Sequence, residues 1–407
     1  MTNLRLAFIS FEFPPAVAIG GIGTYVWESA RLLAAAGASV EVFTAGVCTE
    51  EPAHLYGIRV HRVASTDRHT FRDAVLPVFA ARHRERPFDL IESPEIGAEG
   101  AQIAQAFPDL AVIAKLHTPS YLVDSLGQES PTPFERVRFR FGALRRGRWA
   151  GLSLSPYNCD KDPECIFTRG ADEIAAPSQA IADRLITDWD LNPDRISVFQ
   201  LPYRPEADML ALPVPTKLRT VGFLGRLEPR KGVVELARSI PIILRRYPLL
   251  NFRFLGPSWP YQRGDMEDWI RRYCSRYLDR ITFVGPVSRE MLPAELAFCD
   301  AMVLPSRWEN FPFACWETLA AGRVVVGSSA GGMAEVIEPG VSGLLVPPRS
   351  PLAIVKAILQ LAAQPEQLAR LACSGRQRVL DFLAPERILP LQLASYETAI
   401  SRAALRR

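Results

Sequence analysis

The chain has 407 residues, of which 48% are apolar and 22% charged, a composition typical of a globular protein of two or three domains. The formal net charge of +3 provides no overall field for nucleic acid, and no apolar run approaches the ~18 residues needed to cross a bilayer. The start of the chain, Met1–Arg5, lacks the apolar core of a signal peptide. We therefore expect a cytoplasmic protein with no nucleic-acid partner.

The seven cysteines are scattered along the chain, and only Cys159 and Cys165 lie near each other. No second cysteine pair and no histidine pair accompanies them, which favours reduced thiols over a zinc site. This cysteine usage agrees with a reducing compartment.

The first half opens with a strand, a glycine loop and a helix. Leu6–Phe11 is a continuous apolar run typical of a buried parallel strand. After Gly20 and Gly21, apolar residues at helical spacing extend from Tyr25 to a predicted cap at Gly37. Glycine amides can approach a phosphate or a sugar closely, and the following helix adds its positive end. The loop therefore indicates a phosphate- or sugar-binding unit, with a tight turn that binds nothing as the alternative.

The same loop argues against a dinucleotide oxidoreductase. Val26 stands where the third glycine of the G-x-G-x-x-G fingerprint belongs. The next strand continues into Val42–Ala45 without the acidic residue that would bind a ribose there. A nicotinamide cofactor is therefore disfavoured.

The alternation of strands and helices continues through the first half. His117 stands at the carboxyl end of one predicted strand, where it is either a core residue or a ligand-facing one. The segments that we predict as strands are Ile58–Val63 (which alternates like an edge strand), Phe88–Ser93, Ala111–His117, Glu173–Ala176 and Ile196–Phe199.

A basic segment lies between the predicted strands Ala111–His117 and Glu173–Ala176. From Phe134 to Trp149, aromatic and aliphatic side chains interleave with six arginines. A solvated helix face is the simpler interpretation. The alternative is a contact with an anionic acceptor or, peripherally, with the inner face of a membrane.

Prolines 202, 205, 213 and 215 predict a linker between two domains. After it the cycle of strands and helices restarts. We therefore predict an α/β fold of two Rossmann-like, doubly wound domains facing across a cleft, residues 1–203 and 204–382, with a final helix at 383–407 that crosses back to the first domain. The predicted strands of the second half are Thr220–Gly225, Asn251–Leu255, Ile281–Val284, Ala301–Leu304, Val324–Val326 and Gly343–Val346.

Four charged residues of the second half stand at strand-to-helix crossovers. Arg226 and Lys231 belong to one such loop, and two cations near a helix amino terminus suit a diphosphate. Glu309 and Glu317 follow a later strand, eight positions apart. A carboxylate within the helix, Glu317, suits a vicinal diol, whereas Glu309 in the loop suits a sugar hydroxyl or a developing charge. Taken alone, each of the four is equally compatible with a solvated surface.

Together these motifs resemble those of the family-four (group 1) retaining glycosyltransferases, whose two Rossmann-like domains form the arrangement called GT-B. The resemblance covers nearly the whole chain and depends on the number, order and spacing of weak motifs. They are Gly20-Gly21, Asp89-Leu90-Ile91 with Glu92, His117, Ala176-Pro177-Ser178, Gly225-Arg226, Lys231-Gly232, Pro305-Ser306, Glu309 with Glu317, Gly331-Gly332 with Glu335, and Gly343-Leu344-Leu345.

The resemblance implies that a nucleoside-diphosphate sugar binds in the second domain. Arg226 and Lys231 would hold the diphosphate, Glu317 the ribose diol and Glu309 a sugar hydroxyl. The remaining implied contacts are backbone at Pro286 and Val287 for the base, and the loop of Asn310, Phe311, Pro312 and Phe313 for the donor sugar and phosphate.

The first domain would supply the other wall of the site. By the same resemblance, His117 reaches the donor sugar, and Gly20 and Gly21 approach the phosphate and the transferred sugar. No metal or other cofactor is expected, because cationic side chains and helix dipoles offset the charge of the leaving diphosphate. A hydroxyl group of a glycan, a lipid-linked sugar or a small molecule would be the acceptor.

Several alternatives remain open at this stage. The resemblance favours retention by front-face attack, with a covalent intermediate on Glu309 as the rival mechanism. A nucleotide-sugar epimerase, a sugar-phosphate synthase or a non-catalytic sugar-nucleotide binder would share the same nucleotide pocket. The chain also departs from the family pattern: Phe199–Tyr203 replaces a small asparagine-glycine turn, and Pro312 removes one amide donor.

Overall fold

The computed structural model of the protein describes residues 4–15, 20–48, 53–127 and 157–406. The basic segment 134–149 lies outside the described residues, so its membrane contact stays a prediction. Within the described part, no helix combines the length and the apolar character that a bilayer crossing requires. None of the seven cysteines, all of which lie in the described part of the chain, forms a disulfide bond.

An eight-stranded sheet forms the first domain. Its spatial order is β3-β4-β2-β1-β5-β6-β7-β8, and every neighbouring pair is parallel except β3 with β4. Central strands such as β1 and β5 are buried along their whole length, as expected where helices cover both faces. The strands are β1 (Arg5–Ile9), β2 (Ser39–Gly46), β3 (Ala53–Leu55), β4 (Ile58–Ala64), β5 (Leu90–Pro94), β6 (Ala111–Lys115), β7 (Glu173–Ala176) and β8 (Ile196–Val198).

The prediction of an edge strand at 58–63 was wrong. Strand β4 pairs with β2 on one side and with β3 on the other, so β3 is the edge. Tyr56 and Gly57 both have positive φ, at 51° and 82°, which is the backbone of a two-residue hairpin turn. Only three residues precede this turn in β3, too few for their alternation to be recognised.

The helices of the first domain connect these strands. Helix α1 begins at Gly21, earlier than the helical pattern predicted, because Gly20 takes the extended conformation of an N-cap. The helices are α1 (Gly21–Ala35), α2 (Arg68–Glu85), α3 (Ala101–Ala106), α4 (Ser120–Gly127), α5 (Pro163–Gly170) and α6 (Gln179–Trp189).

A six-stranded parallel sheet forms the second domain, in the order β13-β10-β9-β14-β15-β16. The strands are β9 (Thr220–Leu224), β10 (Asn251–Leu255), β13 (Ile281–Gly285), β14 (Ala301–Leu304), β15 (Val324–Ser328) and β16 (Leu344–Val346), with β11 (Pro260–Tyr261) and β12 (Gly264–Asp265) as a separate hairpin. The helices are α7 (Ala207–Leu210), α8 (Val233–Arg246), α9 (Met266–Tyr273), α10 (Leu292–Ala297), α11 (Phe313–Ala320), α12 (Met333–Val336), α13 (Pro351–Ala363), α14 (Pro365–Phe382) and α15 (Pro385–Ala404).

The strand order places the loops that the site needs. In the second sheet the chain leaves β9 toward β10 and returns on the other side at β14, so β9 and β14 flank a topological switch point. The same reversal separates β1 from β5 in the first sheet. Ligands of doubly wound sheets bind beyond the carboxyl ends of such strands. The loops after β9 and β14 therefore lie side by side.

The final helix, α15, packs across β6 and β7 of the first sheet, so the predicted crossing back is confirmed. A fully buried polar cluster anchors it. Glu92 of β5 accepts hydrogen bonds from Tyr396 Oη and from Tyr25 Oη, both at 2.6 Å. Gln392 donates to Tyr396 Oη at 2.7 Å.

The predicted pair of facing doubly wound domains is likewise confirmed.

We predict that Tyr396→Phe lowers the free energy of unfolding by about 1–3 kcal/mol, because it removes a hydrogen bond to a buried carboxyl group. Chemical denaturation followed by circular dichroism measures the change. Tyr56→Phe is the matched control, since Tyr56 is 74% exposed and is not a member of this cluster. Equal unfolding free energies for the two variants would contradict the anchoring role of Tyr396.

Candidate active site

A cleft of about 570 Å³ lies between the facing edges of the two sheets. Most of the residues predicted from sequence line it, and three do not: Pro286, Val287 and Glu317. Those that line it are Gly20, Gly21, His117, Arg226, Lys231, Glu309, Asn310, Phe311, Pro312 and Phe313.

The loop between β9 and α8 carries three cations, Arg226, Arg230 and Lys231, all of which line the cleft. Gly232 ends this loop with φ of +74°, and a Cβ there would lie 2.0 Å from the carbonyl oxygen of Pro305. Only glycine tolerates both conditions. The loop after β9 can therefore pack directly against the loop after β14, which brings Lys231 to Glu309.

The three cations form one ionic cluster with two carboxylates. Lys231 Nζ lies 2.5 Å from Glu309 Oε1, and Arg230 lies 3.4 Å from the same oxygen. Arg230 also pairs with Glu228 at 2.9 Å, and Arg226 reaches Glu228 at 3.3 Å. Three positive charges against two negative ones leave this wall with an excess of one positive charge.

Arg226 is the most open member of the cluster. Its side chain is 44% exposed, and its guanidinium lies 5.2 Å from the centre of the Trp259 ring. Arg230, in contrast, is buried. The sequence analysis missed Arg230, although a third cation in one short loop was a visible signal. Arg226 is therefore the cation with most freedom to meet an incoming anion.

Glu309 is held in its ionised form. Burial alone would raise the pKa of Glu309, but Lys231 and Arg230 outweigh it and hold that pKa below its ordinary value. Burial also lowers the pKa of Lys231, and Glu309 opposes that shift. The carboxylate is consequently a fixed negative charge beside the cleft rather than a proton donor.

The Gly331-Gly332 pair supports the loop that carries Glu309. Gly331 has φ of +87°, and a Cβ on it would lie 1.9 Å from the carbonyl oxygen of Glu309. The amide of Gly332 donates to that same oxygen at 2.9 Å. This close approach of two backbones fixes the position of Glu309 and Asn310, and it explains the glycine pair found in the sequence.

The side chain of Asn310 bridges the two domains. Its Nδ2 donates to the carbonyl oxygen of His117, and Ser178 Oγ donates to its Oδ1 at 2.8 Å. Glu335 makes a second bridge, because its carboxylate accepts from the first amides of α6 at 2.8 and 3.0 Å. The amide of Asn310 belongs to the predicted donor loop, but its side chain faces the first domain.

Phe311, Pro312 and Phe313 continue that loop into α11, and their segment lines the cleft. Pro312 occupies the N-cap position, where it contributes no amide hydrogen. The amino-terminal end of α11 thus points its positive dipole toward the cleft.

His117 faces this loop from the end of β6. Its backbone amide donates to Glu95 at 2.8 Å, whereas its Nε2 is buried and makes no hydrogen bond within the described residues. Burial, reinforced by the charges of Lys115 and Arg68, lowers the pKa of His117 to about 3. The imidazole is therefore neutral at physiological pH and has one nitrogen available to a ligand.

The loop after β1 completes the first-domain wall. Gly21 lies against the second domain, since a Cβ on it would be 3.8 Å from the Phe313 ring. A Cβ on Gly20 would be 2.5 Å from a carboxylate oxygen of Glu12. Glu12 pairs with Arg68 at 2.5 Å, and both residues line the cleft. The sequence analysis missed this pair, because 56 residues separate its members.

Glu317 and the segment 286–289 lie outside the lining of the cleft but close to each other. Burial raises the pKa of Glu317 to about 7, with Arg289 opposing the shift and Glu28 adding to it. Arg289 also pairs with Glu28 of the first domain at 2.7 Å. Pro286 is exposed and Val287 is half-buried. The residues predicted to hold ribose and base therefore form a separate region next to the cleft.

We predict a pH-dependent stability that originates at Glu95. This residue is fully buried, and burial together with the charge of Glu164 raises its pKa from 4.5 to about 8. The native state therefore keeps a proton that the unfolded state releases. Its contribution to stability is complete below about pH 4.5 and is lost as the pH rises through 8, at up to about 1.4 kcal/mol per unit.

The variant Glu95→Gln should flatten the fall in unfolding free energy between pH 5 and 8. Denaturation curves at several pH values measure the slope. The exposed Glu366→Gln serves as the matched control. If Glu95→Gln and Glu366→Gln have the same slope as the unmodified protein, Glu95 is ionised in the native state and the prediction is wrong.

Comparison with known proteins agrees with this architecture. A family model described as Glycosyltransferase Family 4 matches residues 19–206, and one described as Glycosyl transferases group 1 matches residues 218–364. The D-inositol 3-phosphate glycosyltransferase of Stackebrandtia nassauensis is 26% identical over 98% of this chain and 93% of its own length. The glycogen synthase of Mycobacterium tuberculosis is 27% identical over 92% of this chain and 90% of its own length.

Solved structures share the two-domain arrangement. Sucrose-phosphate synthase from Thermosynechococcus elongatus matches with a TM-score of 0.72 and 23% identity, over 98% of this chain and 99% of that one. HepE of Anabaena, solved with UDP and glucose, matches with a TM-score of 0.66 and 18% identity, over 96% of this chain and 100% of that one. The chain has the GT-B fold and belongs to the family-four (group 1) glycosyltransferases.

Proposed function

We propose that the protein is a retaining glycosyltransferase that moves a hexosyl group from a nucleoside-diphosphate sugar to a hydroxyl acceptor, without a metal ion. The observation that carries this proposal is the excess positive charge of the cluster around Arg226, Arg230 and Lys231, which faces a neutral His117 across the cleft. A sugar nucleotide as donor is also supported by the structure of HepE with UDP and glucose.

Departure of the nucleoside diphosphate is the step that needs most stabilisation, because negative charge develops on the leaving oxygen. Arg226 and Lys231 line the cleft and would stabilise that charge, and the amino-terminal end of α11 would add its dipole. These fixed positive groups stabilise the negative charge that a divalent cation stabilises in metal-dependent transferases. This is the basis for proposing a metal-independent reaction.

The state of Glu309 favours front-face attack over a covalent intermediate. Its Oε1 is shared between Lys231 and Arg230, so its electron density is engaged in ion pairs. Pairing with two cations lowers the nucleophilicity of that oxygen. Glu309 is better suited to accept a hydrogen bond from a sugar hydroxyl at Oε2 and to keep Lys231 in place.

His117 is a poor general base in this site. A pKa of about 3 means that its imidazole has little affinity for the acceptor proton at neutral pH. Its Nε2, which makes no hydrogen bond within the described residues, suits a hydrogen bond with a sugar hydroxyl instead. The leaving phosphate oxygen gains negative charge as the bond breaks, so it is the better proton acceptor. In front-face attack this oxygen takes the proton of the acceptor hydroxyl.

The test combines donor binding with transfer in the presence of EDTA. Thermal shifts with UDP-, GDP- and ADP-hexoses identify the nucleotide that stabilises the protein. With that donor, Lys231→Ala should lower kcat/KM about 10²–10³-fold, since a charge contact made in the transition state is lost. NMR of the product should reveal the same anomeric configuration as the donor.

Lys217→Ala is the matched control, because Lys217 is an exposed lysine of the same domain. Transfer by Lys231→Ala within about threefold of the unmodified enzyme would exclude Lys231 from the diphosphate site, given the far larger loss expected. An inverted product would exclude retention, and abolition of activity by EDTA would exclude metal independence.

A further inference from the structure

Two cysteines, Cys159 and Cys165, meet at the start of α5. Both pack into one apolar cluster of the first domain. Arg169 stands one helical turn after Cys165 and therefore lies on the same face of α5. Its Nη2 donates to Cys159 Sγ at 3.6 Å, and its Nη1 donates to Asp160 Oδ1 at 2.8 Å. The segment that carries Cys159 thus folds back onto the helix face that carries Cys165.

The two thiols differ in their access to solvent. Cys165 is fully buried, and burial raises its pKa to about 12. Arg169 opposes this shift, whereas the neighbouring Cys159 thiol adds to it. Cys159 is only half-buried. A dissolved oxidant therefore reaches Cys159 first, and a second thiol is already beside it.

Glu164, the residue before Cys165, connects this pair of thiols to the cleft. Its carboxylate accepts hydrogen bonds from the amide of Ser120 at 2.8 Å, from Ser120 Oγ at 2.6 Å and from the amide of Gly97 at 2.8 Å. Ser120 ends the short loop that begins with His117 and Thr118, both of which line the cleft. The position of the start of α5 therefore helps to fix the loop that carries His117.

We propose that Cys159 and Cys165 are a redox modification site, at which a peroxide converts the two thiols into a reversible disulfide, and that this disulfide weakens the hold of Glu164 on Ser120 and Gly97. A disulfide keeps its sulfurs about 2.05 Å apart, much closer than two packed thiols. Its formation draws Cys159 and the start of α5 together, and Glu164 moves with Cys165. In a reducing compartment such a disulfide is transient, as redox-sensing disulfides are.

The reaction balances with hydrogen peroxide as the oxidant. The Cys159 sulfur attacks one peroxide oxygen, the O–O bond breaks, and a sulfenic acid and one water form. The Cys165 sulfur then attacks the Cys159 sulfur and breaks its S–O bond, and the hydroxyl group leaves with the Cys165 proton as a second water. Two thiols thus lose two electrons and two protons to the peroxide. A thiol reductant such as dithiothreitol regenerates both thiols by exchange.

Peptide mapping tests the disulfide directly. Lys161 lies between the two cysteines, so trypsin separates them into peptides 149–161 and 162–169 unless a disulfide joins these peptides. The full chain is treated with hydrogen peroxide, its remaining thiols are blocked with N-ethylmaleimide, and the protein is digested. We expect the joined peptides to contain about half or more of the two cysteines, and dithiothreitol to separate them. Cys373→Ser, which removes an exposed cysteine, is the matched control and should leave this yield unchanged.

Hydrogen exchange tests the connection to the cleft. Peptides that contain Ser120 or Gly97 should exchange at least about threefold faster in the oxidised protein, because their amides lose the Glu164 acceptor. Cys159→Ser keeps the size of a half-buried side chain but forms no disulfide, so peroxide should leave its exchange rates unchanged. Neither measurement needs a sugar nucleotide. Failure of this proposal is therefore distinguishable from failure of the proposed transfer reaction.

Two results would overturn the proposal. The first is recovery of peptides 149–161 and 162–169 apart from each other after peroxide treatment, whatever the oxidation state of the exposed Cys48 and Cys373. The second is a protein in which mapping detects the disulfide but the exchange rates at Ser120 and Gly97 equal those of the reduced protein. The first result removes the modification site, and the second removes its effect on the loop that carries His117.

Discussion

The ion pair between Lys231 and Glu309, at 2.5 Å, is the interaction on which the geometry of the cleft depends. Two glycine contacts make it possible: Gly232 lets the loop after β9 reach Pro305, and Gly331 lets the next turn reach Glu309. From Glu309 the connection continues through the side chain of Asn310 to the backbone of His117 in the first domain. One continuous set of contacts therefore fixes the cationic wall relative to the neutral wall.

Lys231 is both the partner of Glu309 and a cation that lines the cleft. Removing one partner of a buried ion pair leaves the other charge unpaired, which is costly in itself. Loss of activity in such a variant combines the missing contact to the diphosphate with the disturbance of Glu309.

The two walls of the cleft differ in charge. The second domain collects more cations than carboxylates, and its main carboxylate, Glu309, is kept ionised by its neighbours. The first domain presents a neutral imidazole, His117, and an arginine, Arg68, that pairs with Glu12 and Glu99. A donor that carries a diphosphate between nucleoside and sugar, together with an acceptor that offers a hydroxyl group, matches this difference in charge.

The sequence predicted the features that depend on local pattern. Alternating strands and helices, the proline-rich linker and the polar residues at strand ends indicated the two doubly wound domains and most of the cleft lining. Glu317 and the segment 286–287 do not line the cleft. Glu317 feels the charge of Arg289, which pairs with Glu28 of the other domain, and a local sequence pattern does not encode such a contact.

The missed features depend on contacts between distant parts of the chain. Glu12 and Arg68 meet only because the loop after β1 and the start of α2 converge at one edge of the sheet. The protonation of Glu95 and the low pKa of His117 follow from burial, which a local pattern does not encode. The short β3 was missed because three residues carry too little alternation.

The most direct test of the central claim is a crystal structure of the protein with the nucleoside diphosphate that stabilises it. The account predicts terminal phosphate oxygens at roughly 2.7–3.2 Å from Lys231 and Arg226, with Glu309 still beside Lys231. A diphosphate bound at Arg68 on the first-domain wall, with Lys231 contacting only Glu309, would contradict it.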